Sequence, residues 1–257
     1  MFVALFVAIA TWEWRRPRRR PHVRGSRWGA HLTLAGVNSL VVRLIAPASG
    51  VSFALWAERA GWGLLRATDA PSWIETAAAV VALDLVVYFQ HRLFHAVPWL
   101  WRMHRIHHAD LHFDVTTGVR FHPFEIALST LIKGAAIIVL GAAPAAVIAF
   151  EIILNAGSLF SHANGSLPRG VDGFVRRLFV TPDMHRVHHS IVVAEQNTNF
   201  GFNLSWWDRV FGTYRPEPAQ PHESMPIGVR DWRGPDTHRI VAILSDPVTP
   251  HRAGSSG

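Results

Sequence analysis

Long apolar stretches alternate along this chain with basic, histidine-rich ones, and the apolar stretches have helical rather than strand-like length. Residues 1–14 are apolar but short for a full membrane crossing and lack the basic start and small-residue cleavage site of a secretory signal. They predict a partial or tilted helix. Residues 29–47, interrupted by Arg43 and closed by Pro47, predict a spanning helix, whereas residues 50–66, with Glu58, Arg59 and Arg66, predict an interfacial one. From Ser72 to about Gln90 runs a cleaner span, entered through Pro71, with Asp84 as its internal charge. Ile126 to Ser161 is about two spans long, broken by Gly141 and Pro144 into a helical hairpin whose charges are Lys133 and Glu151.

Segments 91–125 and 162–257 are too charged for hydrocarbon and belong in one compartment. The expected fold is all-α and integral to a membrane, with about four transmembrane helices and a histidine-rich helical cap. Arg15, Arg16, Arg18, Arg19, Arg20, Arg24 and Arg27 form a basic patch, which reads as a cytoplasmic anchor beside a membrane segment rather than a nucleic-acid site. With that patch inside, the order of crossings places both histidine-rich segments in the cytoplasm. The end, from about Pro247, reads as a disordered tail.

Composition sharpens this picture. Of the 257 residues 49% are hydrophobic and only 17% charged, against about 25% charged in a typical soluble domain. There is no cysteine, which excludes disulfides, thiolate-held clusters and cysteine nucleophiles, so any metal must sit on nitrogen or oxygen. Gly61-Trp62-Gly63 lacks the rest of a nucleotide-binding loop. The eleven tryptophans, including Trp99, Trp101, Trp206 and Trp207, read as an interfacial belt rather than a stacking platform for bases.

The sixteen histidines are clustered: His91 with His95, then His104, His107 and His108, then His185, His188 and His189. A given His-x-x-His-His triplet is expected by chance roughly 0.06 times in such a chain, and it occurs twice. Residues i, i+3 and i+4 share a helix face, so each cluster can aim several imidazoles at a common point. Eight imidazoles exceed the four to six donors of common transition-metal sites, which argues for two ions. Neutral imidazole suits iron, copper, nickel or zinc without choosing among them.

His162 lies on a stripe with Glu151, Asn155 and Ser158 that would face the clusters, either as a ninth ligand or as an ordinary hydrogen-bonded histidine. Asp84, Tyr88, His91 and His95 share a face, so Asp84 reads either as a partner for a histidine N–H or as a structural bond to a neighbouring helix. His112 and His122 read as solvated or as groups behind the ligands, and His22, His31, His222, His238 and His251 as incidental. Two redox metals at a membrane surface suit dioxygen chemistry on an unactivated C–H bond of a lipid entering from the bilayer.

From about residue 28 to 216 the chain resembles the fatty acid hydroxylase and sterol desaturase superfamily of membrane di-iron oxygenases, in the form of bacterial sterol desaturase family proteins. The resemblance rests on Leu83-Asp84 with Tyr88 before His91-Arg92-x-x-His95, on Pro98-x-Leu100-Trp101-Arg102-x-His104-Arg105-x-His107-His108, and on Arg120-Phe121-His122-Pro123-x-Glu125. It rests further on the run Thr181–Ser190, on Asn199-Phe200-Gly201 and on Trp207–Tyr214. The resemblance divides the chain into an N-terminal apolar and basic segment (1–27), a membrane and di-metal domain (28–216) and a C-terminal extension (217–257).

It also implies two irons on His91, His95, His104, His107, His108, His185, His188 and His189, with His162 matching an isolated family histidine. Some members carry a second histidine where this chain has Ser158, which leaves room for an open or water-filled position on one metal. Asn199 and Asp208 would orient metal-bound water or histidine N–H groups, or simply help close the cap. The implied reaction is hydroxylation of a fatty acyl, sterol or isoprenoid lipid with O2, desaturation being the alternative outcome at the same site. No flavin or nicotinamide fingerprint is present, so electrons are expected from an external ferredoxin or cytochrome, and no nucleic acid is expected as a partner. The expected location is a bacterial inner membrane with the metal site on the cytoplasmic side. A haem electron carrier and a zinc-binding or metal-transporting membrane protein are the competing classes.

Overall fold

Pro98, Pro123, Pro144 and Pro182 each stand in the first turn of a helix, where the missing N–H has no helical partner to lose and the ring fixes φ. These helices belong to a computed structural model that describes residues 2–20, 25–45 and 49–249. His22, Arg24, Pro47, His251 and the tail from residue 250 lie outside the described residues. The chain forms α1 (Phe2–Arg15), α2 (Gly25–Ile45), α3 (Ser49–Ala60), α4 (Ser72–Ala96) and α5 (Pro98–His108). The hairpin of α6 (Pro123–Leu140) and α7 (Pro144–Ser161) follows. Five short helices complete it: α8 (Arg169–Val175), α9 (Pro182–His188), α10 (Val193–Gln196), α11 (Trp206–Val210) and α12 (Ile240–Ser245). No strand occurs among the described residues, only isolated bridges.

The membrane body is built by α3, α4, α6 and α7, which pack around Ala54, Leu83, Val87, Ile137, Val147 and Phe150. At a rise of about 1.5 Å per residue α4 is about 37 Å long and each hairpin helix about 27 Å. Four stretches are long and apolar enough to cross a membrane: residues 25–67, holding α2 and α3, and the helices α4, α6 and α7. Their outer faces leave Leu40, Leu44, Leu131, Val139, Ile148 and Ile152 exposed, as a lipid-facing surface requires. Gly141 ends α6 in the left-handed region at φ 65°. A Cβ on Gly63 would come within 2.1 Å of the Gly141 Cα, so the turn before α4 docks backbone to backbone on the hairpin tip.

Several expectations change. Helix α4 runs through to Ala96 rather than stopping at Gln90, which puts His91 and His95 on the span's last turns. Residues 50–66 do not form a separate interfacial element, because Ala54 and Ala57 of α3 are fully buried and α3 packs on α6 and α7. Small residues let those backbones approach, which segment hydropathy does not register. Residues 246–248 form a 3-10 turn and Arg102 donates to the Thr249 carbonyl at 2.9 Å, so the chain stays ordered past Pro247.

The basic patch is also divided. Arg15, Arg16 and Arg20 are exposed, but Arg18 pairs with Asp183 at 3.0 Å and Arg19 donates to the His222 and Met225 carbonyls. Arg27 is buried and donates to Asp110 at 2.7 and 2.6 Å and to Asp114 at 2.6 Å. Burial opposes ionisation of Asp110, but the Arg27 guanidinium outweighs it and holds the carboxyl well below its usual range. His31 is buried in the same network, with Nδ1 2.9 Å from Thr116 Oγ1 and Nε2 2.8 Å from Arg120. It is therefore not incidental. Although His31, Asp110 and His238 lie close together, the first two are already occupied by Thr116, Arg120 and Arg27. His222 is likewise buried, 3.3 Å from Glu217, and His122 is buried and caps α6 rather than being solvated.

Candidate metal centre

The helix starts and stops bring nine imidazoles to one end of the membrane body. His91 and His95 come from the end of α4, His104, His107 and His108 from α5, and His162 from the C-cap of α7. His185 and His188 lie on α9 and His189 caps it. That helix is started by the Thr181 hydroxyl, which accepts from Met184 N at 3.3 Å, and by Pro182. In both His-Arg-x-His-His runs the arginine ties the helix to another part of the chain: Arg105 donates to Asp231 at 2.9 Å, and Arg186, paired within α9 to Asp183, donates to the Ala163 carbonyl at 3.2 Å.

The nine form two groups, each with ligand nitrogens within 4.8 Å of one another. One group is His91, His95, His104, His108 and His188; the other is His107, His162, His185 and His189. Each triplet therefore splits. His104 and His108 join the first group while His107 turns to the second; His185 and His189 join the second while His188 turns to the first. This is the helical i, i+4 pairing, with the third residue displaced round the axis. The groups adjoin through His108 and His189, whose rings stack at 4.4 Å.

In the first group the outward nitrogens are held. His91 Nδ1 donates to the Phe200 carbonyl at 2.9 Å, His95 to Asn197 Oδ1 at 3.2 Å, His104 to Glu125 Oε1 at 2.6 Å and His188 to the Thr198 carbonyl at 2.8 Å. Each acceptor requires a proton on Nδ1, which leaves the Nε2 lone pair for a metal. Nε2 of His91, His104 and His188 is buried without a hydrogen-bond partner. In the second group His162 Nδ1 donates to the Ser158 carbonyl at 2.7 Å, while Nδ1 of His107, His185 and His189 is buried without a partner.

These groups fit transition metals. His95 and His108 bring Nε2 atoms 3.2 Å apart, His107 and His162 3.0 Å, and His162 and His185 2.9 Å. Two nitrogens bound at right angles, each about 2.1 Å from one ion, are about 3.0 Å apart. Burial, and then the charge that neighbouring imidazoles would carry, hold His107, His108 and His185 neutral, well below the ordinary imidazole range. The same causes act on His189, and on His188 among neighbours that include His91 and His95. Burial pushes His162 down to about 4. Neutral imidazole is the form that binds metal.

Among the described residues Asp84, Tyr88, Asn199 and Asp208 make no hydrogen bond to an imidazole. Asp84 accepts from Asn203, Leu204 N and Trp207 Nε1 at 2.8, 3.1 and 2.9 Å, which is the structural alternative. That bond also takes Trp207 out of a purely interfacial belt. Tyr88 bonds Thr213 at 2.8 Å. Asn199, in the left-handed region at φ 52°, clamps Met184 and Arg215 backbone. Asp208 accepts from the Phe200 and Gly201 amides at 2.7 and 2.8 Å and so shapes the loop whose carbonyl holds His91. The side chains that do hold imidazoles are Glu125, which the sequence marks only as part of the Arg-Phe-His-Pro-x-Glu run and without a role, and Asn197, for which it gives no signal.

A cavity of about 670 Å3 opens beside the first group, lined by His91 and His104 and continuing between α2, α4, α6 and α7. A helical membrane body that brings two buried all-imidazole groups to the head of such a cavity defines a membrane-embedded protein built for transition-metal chemistry. The chain belongs to the fatty acid hydroxylase family, whose model matches residues 76–213, all nine histidines included. It is 31% identical over 179 residues to ornithine lipid hydroxylase of Rhizobium tropici, covering 70% of this chain and 52% of that protein. It is 28% identical to alkylglycerol monooxygenase of Danio rerio over 54% of this chain and 30% of the relative. Sphingolipid C4-hydroxylase of Schizosaccharomyces pombe is also 28% identical, over 56% of this chain and 50% of that protein. The chain thus spans about half of the first and third relatives and less than a third of the second. No solved structure matches it.

Proposed function

We propose that this protein is a membrane lipid hydroxylase whose two histidine groups hold two irons. The observation that carries this reading is the convergence of nine imidazoles, eight buried and His95 half-buried, at the head of a cavity that runs into the membrane body. The names of the relatives, hydroxylases and monooxygenases of lipids, support it.

When bound, iron supplies the activation of O2 that amino-acid side chains cannot. The overall change takes a C–H bond, O2, two electrons and two protons to an alcohol and water. His91, His95, His104, His108 and His188 would hold one ion beside the cavity, and His107, His162, His185 and His189 the other behind it. Glu125, Asn197 and the Phe200 and Thr198 carbonyls fix the rings of the first set, and Phe121, stacked on His107 at 4.4 Å, packs beside the second. The cavity walls position the substrate and exclude water, and that placement decides between an alcohol and an alkene.

Electrons come from an external ferredoxin or cytochrome. Trp101, part-exposed and packed at a tilt against His95 at 4.9 Å and His108 at 5.4 Å, is a contact between the outer surface and the first group. The exposed Arg15, Arg16 and Arg20, next to arginines that pair with the cap, support a cytoplasmic site in a bacterial inner membrane.

Metal analysis of detergent-purified protein beside His188→Ala tests the reading, together with comparison of host lipids with and without the enzyme. The expected result is about two irons per chain, reduced in the variant, and a lipid that gains one oxygen atom. Loss of two hydrogens would point to desaturation. Haem, or zinc unaffected by the substitution, would overturn the proposal.

A further inference from the structure

The walls of the cavity are not those of a plain hydrocarbon channel. Lys133 of α6 and Glu151 of α7 both line it, near the middle of their spans, and Arg43 of α2 lines it as well. Ionised groups at such depth are costly and are kept where they face a cavity or a partner. Among the described residues neither the Lys133 nor the Glu151 side chain has an ion pair within 4.0 Å or a hydrogen bond; the two attract each other at longer range, with a gap between them. Two uncharged neighbours repeat the pattern. Gln90 donates through Nε2 to Ser129 at 3.0 Å, and Asn38 through Nδ2 to the Phe121 carbonyl at 2.9 Å. The amide oxygen of each is buried without a partner, and both residues line the same cavity.

The spare groups are therefore two cations, one carboxylate and two amide oxygens. An alkyl chain would leave all of them unsatisfied, at a cost for each. An anionic group alone would meet Lys133 and Arg43 but be repelled by Glu151. A group carrying both an ammonium and a carboxylate satisfies the whole set. We infer that Lys133 and Glu151 bind the zwitterionic polar group of the lipid substrate, with Gln90 and Asn38 accepting its further N–H groups. The inference rests on the reading of the protein as a lipid hydroxylase and names the substrate class of that same cavity.

Its geometry limits where oxidation falls. Glu125, which holds His104, and Lys133 lie on one face of α6, eight residues apart in sequence, or about 12 Å along the axis. The carbon presented to His91 and His104 thus lies within about 12 Å of the bound polar group, short of the far end of a sixteen-carbon acyl chain.

The test is binding to the full-length protein in detergent of three chain-matched amphiphiles: N-hexadecanoyl-ornithine, hexadecanoic acid and hexadecanol. The expected order places the zwitterion at least about tenfold tighter than hexadecanol, as charge-assisted hydrogen bonds provide. Lys133→Met and Glu151→Gln should each remove most of that preference while hexadecanol binding changes by less than about twofold. The double exchange Lys133→Glu with Glu151→Lys keeps their mutual attraction and should restore binding of the zwitterion, while hexadecanol binding, which a purely structural role would move together with it, stays within about twofold in every variant. Should the exchange fail to fold, the near-isosteric Glu151→Gln carries the test alone. Equal binding of the three amphiphiles, or a preference untouched by both single variants, overturns the inference. Iron content and lipid oxidation measured on the same preparations separate the two proposals. An iron-loaded, hydroxylating protein without the preference sinks this inference alone, whereas a preference without bound iron sinks the metal-centre reading alone.

Discussion

The two histidine groups are made of the same side chains but are held in different ways. In the first, four of the five rings donate Nδ1–H to a carbonyl, an amide or a carboxylate, and two of the five line the cavity. In the second, only His162 has such an acceptor, no ring lines the cavity, and all four are buried. The first is preorganised by directional bonds beside the cavity; the second is positioned by packing, with Phe113 and Phe121 against its rings. Outer hydrogen bonds raise ligand basicity and fix orientation, so a shared ligand type need not mean a shared affinity.

The largest effect should come from removing one ring on each side of the boundary between the groups. His108→Ala and His189→Ala should both abolish lipid oxidation, each leaving about one iron per chain instead of about two. Iron titration should show the metal that survives His189→Ala, held by the first group, bound more tightly than the one that survives His108→Ala. Equal affinities would break the comparison. Next in size, Glu125→Ala removes the acceptor behind His104 and leaves every ligand in place. Metal affinity at the first group should fall by about 10- to 100-fold, with the second group unaffected.

Much of this was legible in the sequence and some was not. The spans, the hairpin broken at Gly141 and Pro144, and the eight clustered histidines follow from hydropathy, turn chemistry and spacing, because each of those signals is local, whereas His162 rests on the family resemblance. The sorting of the histidines into five and four is not local. It depends on how α5 and α9 face each other, so a triplet that reads as one multidentate ligand in fact serves both groups. The same holds for Arg27, whose partners Asp110 and Asp114 lie more than eighty residues away and turn an apparent membrane anchor into a buried ion pair. Asp84 was visible as an expensive buried charge, but only the fold shows that it fastens Asn203, Leu204 and Trp207 to α4 rather than an imidazole.

Acidity offers a third test, on metal-free protein. Burial depresses His162 to about 4, whereas an unfolded histidine titrates near 6.5. Between those values the unfolded chain binds the proton and the native one does not, so stability falls as pH drops through that window and is full above it. The shift corresponds to about 3 kcal/mol for this residue alone, and His107, His185 and His189 are depressed as well. Thermal unfolding of the metal-free protein should shift steeply downward between about pH 6.5 and 4, and bound iron should flatten the curve by occupying the same nitrogens. A flat metal-free profile would mean that the second group is solvated rather than packed.

The smallest expected effect sharpens the comparison furthest. Ser158 stands where some family members carry a further histidine, and its side chain donates to the Gly118 carbonyl at 3.0 Å. What it offers the second group is its backbone carbonyl, which accepts from His162 Nδ1 at 2.7 Å. Ser158→Ala deletes the hydroxyl and keeps that carbonyl, so iron content should be unchanged and lipid oxidation should fall by less than about twofold, at a stability cost of about 1 kcal/mol for the lost hydrogen bond. Glu125→Ala, by contrast, deletes the acceptor itself. If the two substitutions reduced iron affinity alike, the Ser158 hydroxyl would be acting on the metal, and the second group would not be the packing-held site described here.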